Sequence, residues 1–402
     1  MPFLSLKVWY RCICMENAIR DRRFAPTALM LGNVVTGMSV LAPAGMLGEL
    51  ASGLGVTISG AALLITFGAV VLCLGSPLTA ALTSRVERRT LLTATLAVFA
   101  LANLVSAVAP SYATLLVIRL VMLAIGALYT PQAAGTADLM VKAEKRGSTI
   151  AYIFLGWSLA AAVGLPLITF IASRYGWRAV YGSIGVLGCL SALLLAWRLP
   201  AGLIGAPVKL RTWTELGRNR MVILLLLITT LQMSGQFAVF TFMAPLLGRL
   251  TGAGADAIGG VFALYGACGF IGIVIATRIV DSWGAYKTSL LFMLLLLTGI
   301  GGWALSAGVY PLMAGSVAVW GLGFASTNSM QQVRLVAAAP PLASASVSLN
   351  TSVLYVGQAI GSAIGAQLFA RGQLRGVGYV AVAFVVLALA LVVLTRPRAS
   401  SS

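Results

Sequence analysis

Residues 111–138 read SYATLLVIRLVMLAIGALYTPQAAGTAD, an apolar run long enough to cross a bilayer, with Arg119 set inside it. No other full charge in the chain's apolar runs lies so far from a loop. A charge in hydrocarbon is costly, so such a residue faces a protein interior or a wet cavity and is a functional candidate by default. Gly126, Pro131 and Gly135 follow on the same run, small or helix-bending residues that let a neighbouring helix come close.

Working outward, similar apolar runs of roughly 20 residues recur along almost the whole chain. At 60% hydrophobic and 9% charged residues over 402 positions, the composition excludes a water-soluble globule, whose charged share is about a quarter. The short alternating segments of a membrane barrel are missing too. The expectation is an all-α polytopic membrane protein with twelve transmembrane helices in two pseudo-symmetric six-helix bundles. The helices are placed at 27–50, 57–82, 90–109, 113–137, 148–172, 177–197, 221–247, 257–280, 288–307, 311–336, 343–369 and 377–395.

The net charge of +18 fits this topology. With both ends cytoplasmic, 21 of the 27 Lys/Arg fall on cytoplasmic segments. Five (Arg174, Arg178, Arg249, Arg371 and Arg375) fall on outer loops, and Arg119 completes the set. That is the positive-inside bias, not a nucleic-acid footprint, so no nucleic-acid partner is expected. Cys73, Cys189 and Cys268 lie in apolar runs and read as small hydrophobes. Cys12 and Cys14 lack the further ligands of a zinc site, and the chain contains no histidine, so no metal or cofactor is expected. Residues 1–25 read as a basic cytoplasmic tail without a signal-peptide cleavage site, and Met15 is a possible alternative start.

Two patterns return at a constant offset. The basic turn after helix two, Ser84–Arg89, has a counterpart 197 residues on, with Asp281 at the position of Ser84. The stripe Gly156, Ala160, Gly164 in helix five is echoed in helix eleven by Gly357, Gly361 and Gly365; positions 160 and 164 map onto 357 and 361. Two echoes at one offset argue for a duplicated six-helix unit, 26–198 and 221–395. Residues 199–220 join the units as a basic linker broken by Pro200, Gly202, Gly205 and Pro207, and 396–402 form a second cytoplasmic tail.

These residues resemble a major facilitator superfamily transporter, above all the bacterial drug and sugar efflux branch, the arabinose-efflux-like permeases. The turn after helix two is similar to the family's glycine–acid–arginine–glycine–arginine signature, with Arg85, Arg88 and Arg89 in the basic positions. Ala80 stands for its first glycine, Ser84 for its acid and Glu87 for its second glycine, so Glu87 is the candidate replacement for the acid. Arg119 falls on the arginine that the family carries in helix four, and Gly156…Gly164-Leu165-Pro166 resembles its helix-five antiporter motif. Gly176-Trp177-Arg178 and the helix-seven run Gly235–Pro245 are similar to this branch as well. The resemblance implies alternating access by two rocking halves, with efflux driven by protons.

Several roles are open for each candidate residue. Arg119 either is satisfied by backbone carbonyls and polar neighbours, or forks onto a substrate, or pairs with an acid, for which Glu49 is nearest. Glu49, Asp138 and Asp281 are the available proton carriers, since Met38, Ser39 and Val40 occupy the mid-level of helix one. The glycine stripes, with Pro166, either pack helices closely or line a sliding seam between the halves. The turns around Arg85–Arg89 and Asp281 either anchor topology or latch the cytoplasmic side. Asn33, Thr36, Gln232, Gln236, Thr241, Asn328, Gln331, Gln332, Asn350 and Gln358 are candidate cavity residues, and Trp320 and Tyr355 candidate stacking surfaces. Such a lining suits a neutral or weakly anionic polar organic molecule. An enzyme is not expected, because the spans lack paired acids or an activated nucleophile. A GxxxxGK[ST] loop is missing too, which excludes the usual ATP drive. The alternatives are a transporter-like sensor and a uniporter or exchanger without proton coupling. The expected partners are a small-molecule substrate, the proton and the lipid bilayer of the bacterial inner membrane, around a monomer.

Overall fold

A computed structural model of the chain describes residues 3–83, 85–141, 143–204, 217–339 and 343–396. Within these stretches, the side chains of 3–23, 76–81, 137–138, 143–148, 151 and 343–345 lie outside the description. Regular structure among the described residues is helical throughout. The first group is α1 Phe3–Gly45, α2 Leu47–Leu54, α3 Ile58–Leu82, α4 Arg88–Ala107, α5 Tyr112–Gly126, α6 Tyr129–Met140, α7 Ala143–Leu159, a π-helical turn Ala160–Gly164, and α8 Leu165–Arg198. The second is α9 Arg220–Phe240, α10 Met243–Thr251, α11 Ala255–Leu305, α12 Tyr310–Ala338, α13 Ala343–Ala370 and α14 Leu374–Leu394.

Nine stretches among the described residues are long and apolar enough to span a bilayer. Two of them, Tyr152–Arg198 at 47 residues and Ala255–Leu305 at 51, are about twice the length one crossing needs. Each contains a glycine with a positive φ, Gly176 (81°) and Gly284 (77°), where only glycine turns without strain. The chain folds back at these points: Gly272 lies against Leu322, whereas Gly299, further along α11, lies against Trp320. Each long stretch is therefore two crossings. The 29-residue α12, whose end carries Gln331, Gln332 and Arg334, is the tenth crossing along the chain and brings the count among the described residues to twelve. Three of the twelve are jointed, as α1/α2, α5/α6 and α9/α10. The first crossing and the expected tail share one helix, since α1 already starts at Phe3.

The duplication is visible in the turns. Gly55 and Gly252, 197 positions apart, cap α2 and α10 in the left-handed conformation. The Tyr112 hydroxyl donates to the Gly60 carbonyl at 2.8 Å, and Tyr310 donates to Ala257, again 197 positions beyond Gly60, at 3.0 Å. We call the end bearing Arg85–Arg89, Arg198, Arg218, Arg220, Arg278 and Lys287 the basic face, and the end bearing Gly55 and Gly252 the distal face.

Apolar side chains such as Leu74, Leu101, Leu193 and Leu387 are more than half exposed around the outside, as lipid contact requires. The chain is a multi-pass membrane protein. Near the distal face the two halves touch. Ser59 of α3 donates to the Ala366 carbonyl of α13, and Thr66 donates to Ser362, both at 3.0 Å. Gly266 of α11 backs onto the main chain of Ala161 and Ala162 in the π turn, so closely that an added Cβ would sit 2.2 Å from Ala162 Cα.

Candidate functional site

Arg119 is 2% exposed, and its guanidinium is spent on backbone. Nε donates to Leu64 O at 2.9 Å, Nη1 to Ser39 O at 2.9 Å and Nη2 to Val40 O at 2.8 Å. The reason lies four residues beyond Ser39. Pro43 has no N–H, so the Ser39 carbonyl loses its helical donor, and the arginine supplies one. Gly68 makes room, since a Cβ there would stand 3.7 Å from Arg119 Nε and 2.6 Å from Leu123 Cδ1. The buried Tyr181 hydroxyl stands beside the guanidinium. Glu49, half-buried in the first turn of α2, does not pair with Arg119. The arginine thus takes the backbone-satisfied alternative and splints the first, second and fourth crossings together.

Toward the basic face, the first half carries a polar chain across three crossings. Trp157 Nε1 donates to Thr130 Oγ1 (3.1 Å), Thr130 to Asn33 Oδ1 (2.8 Å), and Asn33 Nδ2 to the Ile153 carbonyl (3.0 Å). Asn33 is buried while Thr130 and Trp157 are half-buried, so the chain ends at accessible side chains. Thr36 only back-bonds to Gly32 O in its own helix, at 2.7 Å.

The second half holds the amides. Thr229 donates to Asn350 Oδ1 (2.7 Å), and Asn350 Nδ2 to the half-buried Asn328 (3.3 Å). Trp320 Nε1 donates to Gln236 Oε1 at 3.1 Å, and Gln331 Nε2 to Ser289 at 3.1 Å. Gln232 is wholly buried with neither amide atom paired, and Gln331 Oε1 and Thr241 Oγ1 also lack partners. Gln332 is half-buried and Gln358 buried. Behind the amides stands an aromatic wall in which Tyr265 lies 5.2–5.3 Å from Phe240, Trp320 and Phe324. Tyr355 of α13 packs against a cluster of the opposite half that includes Val40, Leu72 and Phe99. Neutral amides, an indole and tyrosine rings can hydrogen-bond and stack on an uncharged polar molecule.

The glycine stripes lie elsewhere than a sliding seam would need. An added Cβ would meet Met30 O at 2.3 Å from Gly156 and Met38 Cγ at 2.7 Å from Gly164; both contacts are with α1. From Gly357 and Gly361 it would meet Thr230 O and Ser234 O of α9, at 2.4 and 2.2 Å. The stripes clamp helices inside each half, and the close seam contact uses Gly266 and Ala162. Pro166, in the first turn of α8, faces Gly259 across that seam.

At the basic face, Arg88 donates to the Gln132 side chain, and its N–H to Leu203 O at 2.8 Å. Glu87 accepts from Thr90 Oγ1 (2.7 Å) and from the N–H of Gly202 (2.6 Å). These two bonds, with Arg89 nearby, hold its carboxyl below the usual carboxylate range. The turn therefore clasps the first half's own fourth crossing and the start of the segment leading to the second half. Arg85 and Asp281 are exposed. Ser84, the side chains of Ala80 and Asp138, and residues 205–216 lie outside the described residues.

Thr130, Trp157 and Arg334 escaped the sequence reading. Arg334, counted there as a loop charge, is 8% exposed; it donates to Thr395 O and Oγ1 at 3.1 and 2.6 Å and stands 5.5 Å from the Tyr286 ring. Its position inside the predicted span 311–336 was the available signal.

Comparison with known proteins gives one answer. The family model described as Major Facilitator Superfamily matches residues 29–348 and 225–402. The uncharacterized MFS-type transporter YbcL of Bacillus subtilis (strain 168) is 28% identical over 90% of this chain and 93% of its own. The inner membrane transport protein YdhP of Escherichia coli O157:H7 is 30% identical over 86% and 88%. A probable sugar efflux transporter of Mannheimia succiniciproducens is 25% identical over 84% and 85%. Among solved structures, an inward-facing, unoccupied bacterial homolog of the human lysosomal transporter Spinster aligns with a TM-score of 0.74 at 16% identity, covering 93% of this chain and 97% of that one. A D-xylose-proton symporter aligns with a TM-score of 0.74 at 16% identity, over 94% and 99%.

Proposed function

As the chain belongs to the major facilitator superfamily of transporters, we propose that it exports a small, uncharged polar or amphipathic organic solute, a sugar, nucleobase or drug, by alternating access coupled to protons. The observation that carries this reading is the placing of the seam. The halves are joined near the distal face, while the half-buried Thr130, Trp157, Asn328 and Gln332 give polar donors and acceptors from both halves. Residues 26–198 and 221–395 are the rocking bodies, with 199–220 as the slack between them. The basic face and both tails are cytoplasmic, so the conformation is open inward, and the working unit is a monomer. The relative named as a probable sugar efflux transporter favours export of sugar-like molecules.

Counterflow in proteoliposomes against sugars, nucleobases and amphenicol-type drugs tests the proposal. Accumulation of one labelled solute class is the expected result, and no accumulation of any would overturn it. A second reading, exchange without protons, draws support from Glu49: it is tied to neither Arg119 nor any other described counter-charge. Counterflow unchanged by a collapsed pH gradient, with no proton movement during net transport, would select that reading.

A further inference from the structure

One groove, at the Pro166–Gly259 contact, lies apart from the polar side chains described above. It is a cavity of about 250 Å³ on the seam, lined by Pro166 and Phe170 of the first half and Ala255, Asp256, Gly259, Gly260 and Ala263 of the second. Its floor is apolar, with the only carboxylate of the lining at one end. From Asp256 to Ala263 the helix descends about 10 Å, so the groove runs from the distal interface into the hydrocarbon. The exposed Arg174 guanidinium stands 4.8 Å above the Phe170 ring, and Tyr175 beside it is 71% exposed, as aromatic anchors at a membrane interface are. Among the described residues, neither Arg174 nor Asp256 pairs with a counter-charge.

An apolar slot topped by one cation and one anion is complementary to a zwitterionic phospholipid with a primary amine. We propose that this groove binds phosphatidylethanolamine of the distal leaflet. Its phosphate pairs with Arg174, its ammonium donates to Asp256, and the start of an acyl chain lies over Gly259, Gly260 and Ala263. Because both halves line the slot, the lipid braces the seam at this face. The proposal rests on the membrane setting of the fold and not on any particular solute being carried.

The test uses the full purified chain, delipidated and titrated with phosphatidylethanolamine, phosphatidylcholine or phosphatidylglycerol of identical chains, with bound lipid read by native mass spectrometry. Phosphatidylethanolamine should be retained at least fivefold over the other two, because a quaternary ammonium cannot donate and a glycerol headgroup carries no cation. Asp256→Asn should erase the preference over phosphatidylcholine, and Arg174→Gln should weaken retention of both zwitterionic lipids. Gly260→Leu should expel all three lipids from the slot; no atom lies within 4 Å of a Cβ added there, so the fold tolerates it. Equal retention of the three lipids would overturn the proposal. So would a preference that survives both Asp256→Asn and Gly260→Leu, which places the lipid elsewhere. Retention lost in Asp256→Asn but unaffected by Arg174→Gln would also overturn it, in favour of a simple cationic amphiphile.

Discussion

If Arg119 is present to fill the gap that Pro43 leaves, the two residues must be energetically coupled, and the coupling can be sized. Two of the guanidinium's acceptors, Val40 O and Leu64 O, lie in helices where the residue four ahead (Ala44, Gly68) has an N–H to give. Ser39 O does not, because position 43 is proline. Replacing Arg119 by leucine therefore removes three charge-assisted bonds but leaves one carbonyl without any donor, at about 1–3 kcal/mol for that group alone. In a Pro43→Ala background the new N–H satisfies Ser39 O, and that share of the loss disappears. The double-mutant cycle of Pro43→Ala and Arg119→Leu should thus show an interaction energy of about 1–3 kcal/mol, the pair being less damaging than the sum of the singles. Equilibrium unfolding in mild detergent, followed by tryptophan fluorescence, measures it. An interaction energy indistinguishable from zero would refute the splint and return Arg119 to substrate or proton chemistry.

Other outcomes follow from the same geometry. Gly361→Val should lower folded yield sharply, since its Cβ would collide with Ser234 O, whereas Gly135→Val, with open space around it, should express normally; gel filtration decides. Gln232→Leu removes a buried amide without partners and should raise the melting temperature of the empty protein by a few degrees, the equivalent of about 1–3 kcal/mol, while reducing counterflow if that amide serves the solute. Glu87→Ala should free the start of the connecting segment, seen as faster tryptic cleavage at Lys209 and Arg211. Because the Glu87 carboxyl is held below its ordinary value, the wild-type clasp is complete above about pH 4.3 and loosens only as pH falls through the lowered value. The anisotropy of a fluorophore at position 203 should therefore stay constant from pH 8 to about pH 5 in the wild type.

The fold was legible because bilayer physics writes it in long apolar runs and in the sidedness of arginine and lysine. The turns at Gly176 and Gly284 fall within a few residues of the predicted breaks. The duplication announced by the glycine stripes recurs in the capping pair Gly55 and Gly252. Roles were less legible, because they depend on which face of a helix meets which neighbour. Gly156 and Gly361 promised close packing, but the sequence could not say that the partners were α1 and α9 rather than the other half. Arg119 was conspicuous, yet its true counterpart is the missing hydrogen of Pro43, a vacancy on another helix that no charge count reveals. Arg334 was hidden for the opposite reason: a basic residue near a span end looks like a topological anchor until Thr395 is seen to receive it.

The π turn at Ala160–Gly164 has a consequence for the whole alignment of the fifth crossing with the first. Four residues on an ordinary α-helix overshoot a full rotation by about 40°. Gly156, Ala160, Gly164 and Ile168, spaced by fours, would therefore wander about 120° around their helix. Instead, they meet α1 in succession at Met30, Gly37, Met38 and Gly45, because the wider loop absorbs the surplus. It works as a leap day does, one extra unit that keeps two unequal cycles in step. Deleting Ala162 would tighten that loop and turn everything beyond it by about 100°. Ile168 would swing away from Gly45, and Gly266 would lose the flat backbone against which the two halves rest.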